Sequence, residues 1–470
     1  MWSFNKFGDN IAIIDENGEA TSYSDLQTAC ETLLSHTDGR CLVFNLCSNE
    51  KGSLVGYTAF INGGIVPVLL DATLDREMLS ALMDNYKPDY LWLPESMAGE
   101  FFDYPAIYTI WDYSLLKTPY NKEYPLNDDL ALLLTTSGST GSPKLVRQTY
   151  ANIRANTESI ALYLDLDATE RPITTMPMSY TYGLSIINSH LWVGASIIIT
   201  QNTLMQREFW QQFKDHGATS FGGVPYIYEM LEKLRFFRME LPTLRTMTQA
   251  GGKLSPELHK KFAEYARDNG KKFFVMYGGT EATARMSYLP YEKSLDKYGS
   301  MGIAIPGGEF SLIDADGDVI TAPEVVGELV YKGANVTLGY AECGDDLQKG
   351  DEFCGVLVTG DMAKRDEDGY YYIVGRKKRF LKIFGSRVNL DETERMVRDA
   401  FPEIECACGG VDDKMSVFIT DGSVSEKVLK FLAEKTGINH TAFKIVTVEA
   451  IPRNESGKIM YSELSEYDNG

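Results

Sequence analysis

The chain has 470 residues, too many for one ordinary hydrophobic core, so we expect two or more domains. Its formal net charge of −21 argues against a nucleic-acid-binding protein, which needs a basic surface. The seven cysteines, an odd number without paired spacing, favour a reducing compartment, and we expect a cytoplasmic protein.

The first part of the chain alternates short strands and helices. The N-terminus lacks a basic stretch followed by an apolar one, so we predict no signal peptide. Residues 54–70 are the most apolar stretch, but polar and helix-breaking residues interrupt it, which favours a buried helix and strand over a membrane span. The alternation predicts an α/β fold with a mainly parallel sheet. The predicted elements are strands at 10–15, 21–23, 41–46, 65–70 and 90–93, and a helix that Ser24 caps and that ends near His36.

The middle of the chain continues this pattern, and the texture changes beyond about residue 300. There, glycines separate short strands, and residues 366–369 form a predicted hairpin turn, so we expect a smaller β-rich unit. The middle elements are helices at 150–163 and 182–192, strands at 173–176, 195–200 and 273–276, and a helix that Ser255 caps and Gly270 ends.

The segment LLLTTSGSTGSPK, at residues 132–144, is the most distinctive stretch. A buried strand leads into hydroxyl residues and glycines, which can bring many donors close to one anion. Because Ser142 and Pro143 separate Gly141 from Lys144, the segment is not a common P-loop. We predict a different loop that binds the polyphosphate of ATP. Its candidate residues are Thr136, Ser137, Gly138, Ser139, Thr140, Gly141 and Lys144.

This segment resembles the phosphate-binding signature of the AMP-forming adenylating enzymes, which include acyl-CoA synthetases, adenylation domains and luciferases. Two downstream segments resemble the same family: Gly251-Gly252-Lys253-Leu254, which would lie against adenine, and 277–281, Tyr-Gly-Gly-Thr-Glu. The resemblance implies that Tyr277 packs on adenine beside Gly278, that Thr280 bonds the α-phosphate and that Glu281 holds Mg²⁺. A carboxylate suits this hard cation.

The C-terminal motifs resemble the family in the same order. Thr359-Gly360-Asp361 and Gly375-Arg376 resemble its ribose-binding residues, and 452–458 resembles the segment that carries its catalytic lysine, here Lys458. The resemblance implies a large N-terminal domain, residues 1–375, of parallel-rich sheets with helices and a small β-rich subdomain. A hinge at 376–380 containing Lys378 and a small, mobile α+β domain at 381–470 would follow.

The implied reaction has two steps. A carboxylic acid attacks the α-phosphorus of ATP and forms an acyl-adenylate, and a thiol then displaces AMP. Thr280, Glu281 and Lys458 would act in the first step, with ATP and Mg²⁺ as its cofactors. CoA would supply the thiol, with a carrier-protein phosphopantetheine as the alternative. The alternative to an enzyme is a protein that binds a nucleotide without catalysis. The sequence predicts neither the oligomeric state nor the acid.

The acid pocket carries the weakest sequence signal. Amino-acid activators of this family have Asp where this chain has Thr181, which argues against a simple α-amino acid. Bulky Tyr180 and Tyr182 favour a small or medium acid over a long fatty chain. The residues that we predict to line the pocket are Tyr180, Gly222, Gly223, Tyr226 and Met276.

Overall fold

The computed structural model describes residues 1–101, 103–135, 144–384, 386–453 and 459–464, without the side chains of residues 378, 380, 386, 387 and 462. The described residues form two compact units. The first lies within Met1–Ser137, Ser142–Phe310 and Tyr331–Leu357, and the second within Ser311–Val330 and Val358–Gly470. The domain division at residues 375 and 381 stays a prediction.

The described residues contain the following helices and strands. The helices are α1 Tyr23–Leu34, α2 Lys51–Asn62, α3 Arg76–Tyr86, α4 Glu95–Ala98, α5 Tyr150–Tyr163, α6 Thr181–Val193, α7 Arg207–Asp215, α8 Pro225–Lys233, α9 Pro256–Asp268, α10 Leu390–Ala400, α11 Ser425–Thr436 and α12 Tyr461–Leu464. The first strands are β1 Ile11–Ile14, β2 Ala20–Ser22, β3 Leu42–Cys47, β4 Val66–Asp71, β5 Tyr90–Pro94, β6 Ala106–Ile110, β7 Tyr113–Lys117, β8 Leu130–Thr135, β9 Leu145–Thr149, β10 Ile197–Ile198, β11 Ser220–Gly223, β12 Thr246–Gln249 and β13 Lys272–Tyr277. The later strands are β14 Ser287–Tyr288, β15 Ile303–Ala304, β16 Gly308–Ile313, β17 Gly327–Gly333, β18 Tyr340–Ala341, β19 Val356–Arg365, β20 Tyr371–Arg376, β21 Phe380–Ile383, β22 Ser386–Asn389, β23 Cys406–Val411, β24 Lys414–Ile419 and β25 Phe443–Thr447.

The largest sheet of the first unit has eight strands in the order β18-β9-β8-β4-β3-β5-β7-β6. Its central strands β8, β4, β3 and β5 are parallel, and hairpins add antiparallel neighbours on both sides. The central strands are buried and rich in Val and Leu, as parallel strands covered on both faces are. Helix α2 and strand β4 confirm the prediction of a buried helix and strand at 54–70.

The predicted motifs follow strands of a second sheet of the first unit. Its order is β11-β12-β13-β14-β15, and β11, β12 and β13 are parallel. Helices α8 and α9 connect these parallel strands, because a parallel pair needs a crossover connection. The carboxyl ends of the three strands therefore meet at one edge.

Three local predictions were wrong. The N-cap of α1 is Ser22 and not Ser24, because Ser22 and Asp25 form a reciprocal capping box. Residues 173–176 form no strand: Pro172 lacks an N–H, and the hydroxyl of Thr174 pairs with the backbone of Thr200. The predicted strand at 195–200 is reduced to β10.

Other local predictions are confirmed. Helix α5 covers residues 150–163 as predicted. Ser255 caps α9 by accepting a hydrogen bond from the Leu258 N–H at 3.2 Å. Residues 366–369 form the turn between β19 and β20, where Gly369 has a φ of 88°. A separate observation concerns the described helices: none of them has both the length and the apolar sequence that a membrane span needs.

The second unit contains most of a four-stranded sheet, in the order β16-β17-β19-β20, and two smaller sheets. The hairpin β21-β22 precedes α10, and the sheet β23-β24-β25 packs with α10 and α11 around a buried apolar cluster. This unit has its own core, built from residues after position 380.

Candidate active site

The predicted motifs of the first unit lie at the carboxyl ends of three neighbouring parallel strands. Strand β11 ends with Gly222 and Gly223, and β12 leads into Gly251 and Gly252. Strand β13 ends at Tyr277 and continues into Gly278, Gly279, Thr280 and Glu281. Because the carboxyl ends of parallel strands share one edge, three motifs far apart in sequence meet at one place.

Two glycines let the backbone pass close to neighbouring groups at this edge. A Cβ on Gly278 would overlap the carbonyl oxygen of Ala284, so no larger residue fits there. Gly251 has a φ of +81°, and a Cβ on it would lie 2.7 Å from the Tyr180 hydroxyl oxygen. Gly251, which we predict to lie against adenine, is therefore directly beside Tyr180 of the predicted acid pocket.

Glu281 is held at both its backbone and its carboxylate. Its carbonyl oxygen accepts hydrogen bonds from the N–H and the hydroxyl of Thr337, each at 3.0 Å. The Tyr340 hydroxyl donates to Glu281 Oε1 at 2.9 Å. Burial raises the pKa of Tyr340, and the neighbouring Glu281 carboxylate raises it further, so Tyr340 stays a donor. The carboxylate predicted to hold Mg²⁺ is thus fixed in place.

The turn after Glu281 is strained and tightly bonded. Thr283 has φ 65° and ψ −58°, and the Ala284 N–H donates to the Ala282 carbonyl at 2.7 Å, which forms a γ-turn. The Thr283 hydroxyl donates to the Asn335 carbonyl at 2.7 Å. Its own carbonyl accepts from the hydroxyl of Thr181. Such strain persists only where surrounding contacts enforce it, and it often marks a functional site.

Lys144 is linked to this turn by Tyr340, which contacts both Lys144 and Glu281. It forms an ion pair with Glu342, both side chains being partly exposed, and its Nζ is 5.8 Å from the centre of the Tyr340 ring. Tyr340 therefore contacts both the lysine predicted to bind phosphate and the carboxylate predicted to hold Mg²⁺. The other predicted residues of the phosphate loop, Thr136, Ser137, Gly138, Ser139, Thr140 and Gly141, lie outside the described residues.

The residues predicted to line the acid pocket lie close to one apolar cluster, with one exception. Met276 is buried in that cluster, Tyr180 packs against it, and the Tyr163 hydroxyl donates to the sulfur of Met276 at 3.1 Å. A Cβ on Gly222 would lie 2.8 Å from the Tyr182 hydroxyl oxygen, and one on Gly223 would meet Ile227, which also packs there. Tyr226 is 41% exposed and is not part of the cluster, and its assignment stays a prediction.

Sequence reasoning missed two residues of this region, Tyr340 and Arg285. Tyr340 follows an ordinary glycine about sixty residues after Glu281, and no local pattern marks it. Arg285 lies four residues after the Tyr-Gly-Gly-Thr-Glu motif, and in the sequence it looks like an ordinary surface arginine. Its side chain is nevertheless buried, only 2% exposed.

In the second unit, the two residues predicted to bind ribose face each other across β19 and β20. Asp361 and Arg376 are register partners, and Arg376 Nε lies 3.4 Å from Asp361 Oδ1. The N–H of Asp361 donates to the Thr359 hydroxyl at 3.1 Å, which fixes the start of the Thr-Gly-Asp turn. The predicted hinge residue Lys378 is described for its backbone only, and Lys458 lies outside the described residues.

The sequence matches a family model and curated proteins. The model described as "AMP-binding enzyme" matches residues 2–341. A peroxisomal OPC-8:0-CoA ligase 1 of Arabidopsis thaliana is 30% identical over 73% of this chain and 65% of its own length. An oxalate–CoA ligase of the same plant is 29% identical over 71% of this chain, and the match again spans slightly less than two thirds of the relative, 66%. A 2-succinylbenzoate–CoA ligase of Bacillus velezensis is 26% identical over 98% of this chain and 96% of its own length.

Solved structures match nearly the whole chain. An O-succinylbenzoate CoA synthetase from Bacillus subtilis, in complex with AMP, has a TM-score of 0.78 at 22% identity, covering 97% of this chain and 95% of that one. ATP-bound MatB from Rhodopseudomonas palustris also has a TM-score of 0.78, at 21% identity, and covers 98% of both chains. These matches confirm the predicted fold class, a large sheet-rich N-terminal domain with a smaller C-terminal domain.

Proposed function

The chain belongs to the AMP-binding enzyme family, and from that premise we propose that it is an AMP-forming acid–thiol ligase. The observation that carries the proposal is the turn at Thr280 and Glu281. It lies at the carboxyl end of β13, next to the strand β12 that leads into Gly251 and Gly252, and Thr337 and Tyr340 fix its backbone and carboxylate. A side chain held in one geometry suits a reaction that depends on positioning and charge stabilisation.

We assign the nucleotide contacts residue by residue. Tyr277, Gly278 and the glycines at 251 and 252 would contact adenine, and Asp361 and Arg376 the ribose. Asp361 suits the ribose, because a carboxylate accepts two hydrogen bonds side by side. The loop at 136–141 and Lys144 would bind the leaving phosphates. Glu281 would hold Mg²⁺, which neutralises phosphate charge when bound.

In the first step, the carboxylate oxygen of the acid bonds to the α-phosphorus of ATP and the bond to pyrophosphate breaks. Thr280 would donate to the α-phosphate, and Lys458 would stabilise the charge that develops between the acid and that phosphate. In the second step, the sulfur of a thiol bonds to the acyl carbon, AMP leaves and the thiol loses its proton. Lys458 must give way before the thiol arrives, and the hinge around Lys378 would permit this.

We propose CoA as the thiol, because the curated relatives named above are CoA ligases. A carrier-protein phosphopantetheine is the alternative, because it presents the same thiol. A cytoplasmic location is consistent with the seven cysteines, none of which is in a disulfide in the described structure.

The test is acid-dependent exchange of radioactive pyrophosphate into ATP across a panel of carboxylic acids. Exchange with any acid supports the first step, and thioester assays with CoA and with a holo carrier protein then identify the acceptor. Exchange with no acid would favour a nucleotide-binding protein without catalysis.

Two variants test the assigned roles. Lys458→Ala should reduce adenylate formation at least 10²–10³-fold, about the loss expected for one charge-stabilising donor. It should largely spare thioester formation from supplied acyl-adenylate. The matched control is Lys430→Ala, which removes an exposed lysine of α11. Equal loss of both steps would remove Lys458 from its assigned role.

Glu281→Gln should weaken the Mg²⁺ dependence of exchange in the same assay.

A further inference from the structure

Arg285 is a buried cation with unused hydrogen-bond donors. Its Nη2 donates to the Ser185 hydroxyl at 3.1 Å, and its guanidinium carbon lies 3.9 Å from the centre of the Tyr182 ring. Nε and Nη1 are buried and have no hydrogen-bond partner in the described structure. Two sides of the guanidinium fork are therefore shielded from solvent and still able to donate.

The backbone around Arg285 is fixed by buried asparagines. Its carbonyl oxygen accepts from Asn156 Nδ2 and Asn335 Nδ2, each at 2.9 Å, and its N–H donates to Asn156 Oδ1 at 3.3 Å. The strained γ-turn at Thr283 comes two residues earlier. The chain therefore uses three buried polar contacts and a strained turn to keep this arginine in one position.

An arginine cannot relieve its burial by losing its proton, because the guanidinium group stays charged in proteins. A buried guanidinium without a counter-charge is costly, and an aromatic ring offsets that cost only in part. The nearby titratable groups are tyrosines: burial raises the pKa of Tyr163, Tyr180 and Tyr182, and the charge of Arg285 opposes that rise. An anion is the partner that this site lacks.

Contacts place Arg285 beside the predicted acid pocket. Tyr182, on which it stacks, accepts from the Gly223 N–H at 3.2 Å and donates to the Thr248 carbonyl at 2.7 Å. Gly223 and Thr248 belong to the strands whose carboxyl ends form the candidate site. The hydroxyl of Thr181, at the position where amino-acid activators of the family carry Asp, is occupied by the Thr283 carbonyl. The fixed charge here is positive, the opposite of what an ammonium group needs.

We propose that Arg285 binds a second carboxylate on the acid substrate, so that the enzyme activates dicarboxylic acids. This rests on the proposed ligase function and specifies its substrate class. The reacting carboxylate goes to the α-phosphate, and the second one accepts hydrogen bonds from Nε and Nη1. The planar fork of arginine matches a carboxylate with two parallel bonds, which are stronger than neutral hydrogen bonds.

The experiment measures pyrophosphate exchange with linear and aromatic dicarboxylic acids, each paired with its own monoamide. The monoamide keeps the size and the reacting carboxylate but removes the second charge. We expect kcat/KM to be about 10- to 100-fold higher for the preferred diacid than for its monoamide, the range for a charge-assisted contact. Monoamides that exchange as fast as the diacids would overturn this inference alone. Exchange with no acid at all would overturn the proposed function, and this inference with it.

Arg285→Gln should remove the preference by slowing the diacid about 10- to 100-fold and leaving the monoamide nearly unchanged. Arg285→Lys, which keeps the charge but not the fork, should lie between the two. An unchanged KM for ATP shows that each variant is folded. If Arg285→Gln slows the diacid and the monoamide equally, Arg285 does not read the second carboxylate and the inference is wrong.

Discussion

Two regions of the first unit each bury an arginine, and the two side chains are paired very differently. Arg147 of β9 is fully buried, and its five N–H groups donate to the carbonyls of residues 338, 340, 349 and 350 and to the carboxylate of Glu352. Arg285 is almost as buried, and its Nε and Nη1 have no hydrogen-bond partner among the residues that the structure describes. A guanidinium whose N–H groups all have acceptors stabilises the backbone around it, whereas one with unpaired N–H groups can still bind an anion. Burial alone does not distinguish a structural arginine from an anion-binding one, but the number of N–H groups with an acceptor does.

The comparison predicts that Arg147→Met causes the largest loss of stability. It removes the arginine donor from four backbone carbonyls of the segment that carries Tyr340, and Leu338 and Lys349 keep one other donor each, the Glu352 N–H and Asn127 Nδ2. The expected cost is about 3–5 kcal/mol in the free energy of unfolding. Urea denaturation measures it, with the exposed Arg154→Met of α5 as the matched control. A variant as stable as the control would mean that saturated donors do not mark a structural arginine.

His259 is a second buried side chain whose polar atoms all have partners, and its burial predicts that the stability of the protein depends on pH. Its Nε2 lies 2.9 Å from the Ser294 hydroxyl, and its Nδ1 accepts from the Gly299 N–H at 3.1 Å. Burial lowers the pKa of His259 from 6.5 to about 4. Between these values only the unfolded chain takes up the proton, so the stability present above pH 6.5 is lost as the pH falls towards 4.

The expected loss is about 3 kcal/mol over that window, from the shift of the His259 pKa. Urea midpoints measured at several pH values test it. His259→Gln should flatten the slope between pH 6.5 and 4, and His36→Gln, which changes an exposed histidine, should leave it unchanged. Equal slopes in wild type and His259→Gln would show that this histidine does not titrate as the structure indicates.

Tyr340→Phe should have a smaller effect, confined to the nucleotide. It removes the hydroxyl that donates to Glu281 and keeps the ring beside Lys144. Loss of one hydrogen bond costs about 0.5–1.5 kcal/mol, so we expect the KM for Mg-ATP to rise about 2- to 10-fold with kcat nearly unchanged. Exposed Tyr298→Phe is the control. A fall in kcat alone would place Tyr340 in a different role.

The sequence was most informative where contiguous residues carry the signal. The turn at 277–281 and the pair Asp361 and Arg376 stand in short motifs; the structure places the first at a strand end and pairs the second across a hairpin, and the roles of these residues stay predictions. Helix α5 followed from periodicity, and α9 from periodicity and its cap. These features depend on local spacing, which one chain displays.

The sequence could not predict features that depend on distant contacts. Tyr340 reaches Glu281 because β18 pairs with β9, a pairing across almost two hundred residues that no local pattern encodes. Arg285 is buried because Asn156 and Asn335 hold its backbone, and both are ordinary polar residues in the sequence. The predicted strand at 173–176 failed for a related reason, since the Thr174 hydroxyl found its partner at Thr200.

The smallest expected effect, and the one that decides the comparison, is the stability of Arg285→Met. Methionine loses the bond to Ser185 and the stacking on Tyr182, but it also removes a buried charge with two unused donors. Replacing a poorly paired buried charge by an apolar side chain is often neutral or stabilising. We therefore expect the free energy of unfolding to stay within about 1 kcal/mol of wild type, in the same urea assay as Arg147→Met. A loss as large as that of Arg147→Met would mean that Arg285 is structural in spite of its open donors. Near-equal stability together with lost diacid selectivity would assign the two arginines to two different tasks, because only one of them would then be dispensable for folding.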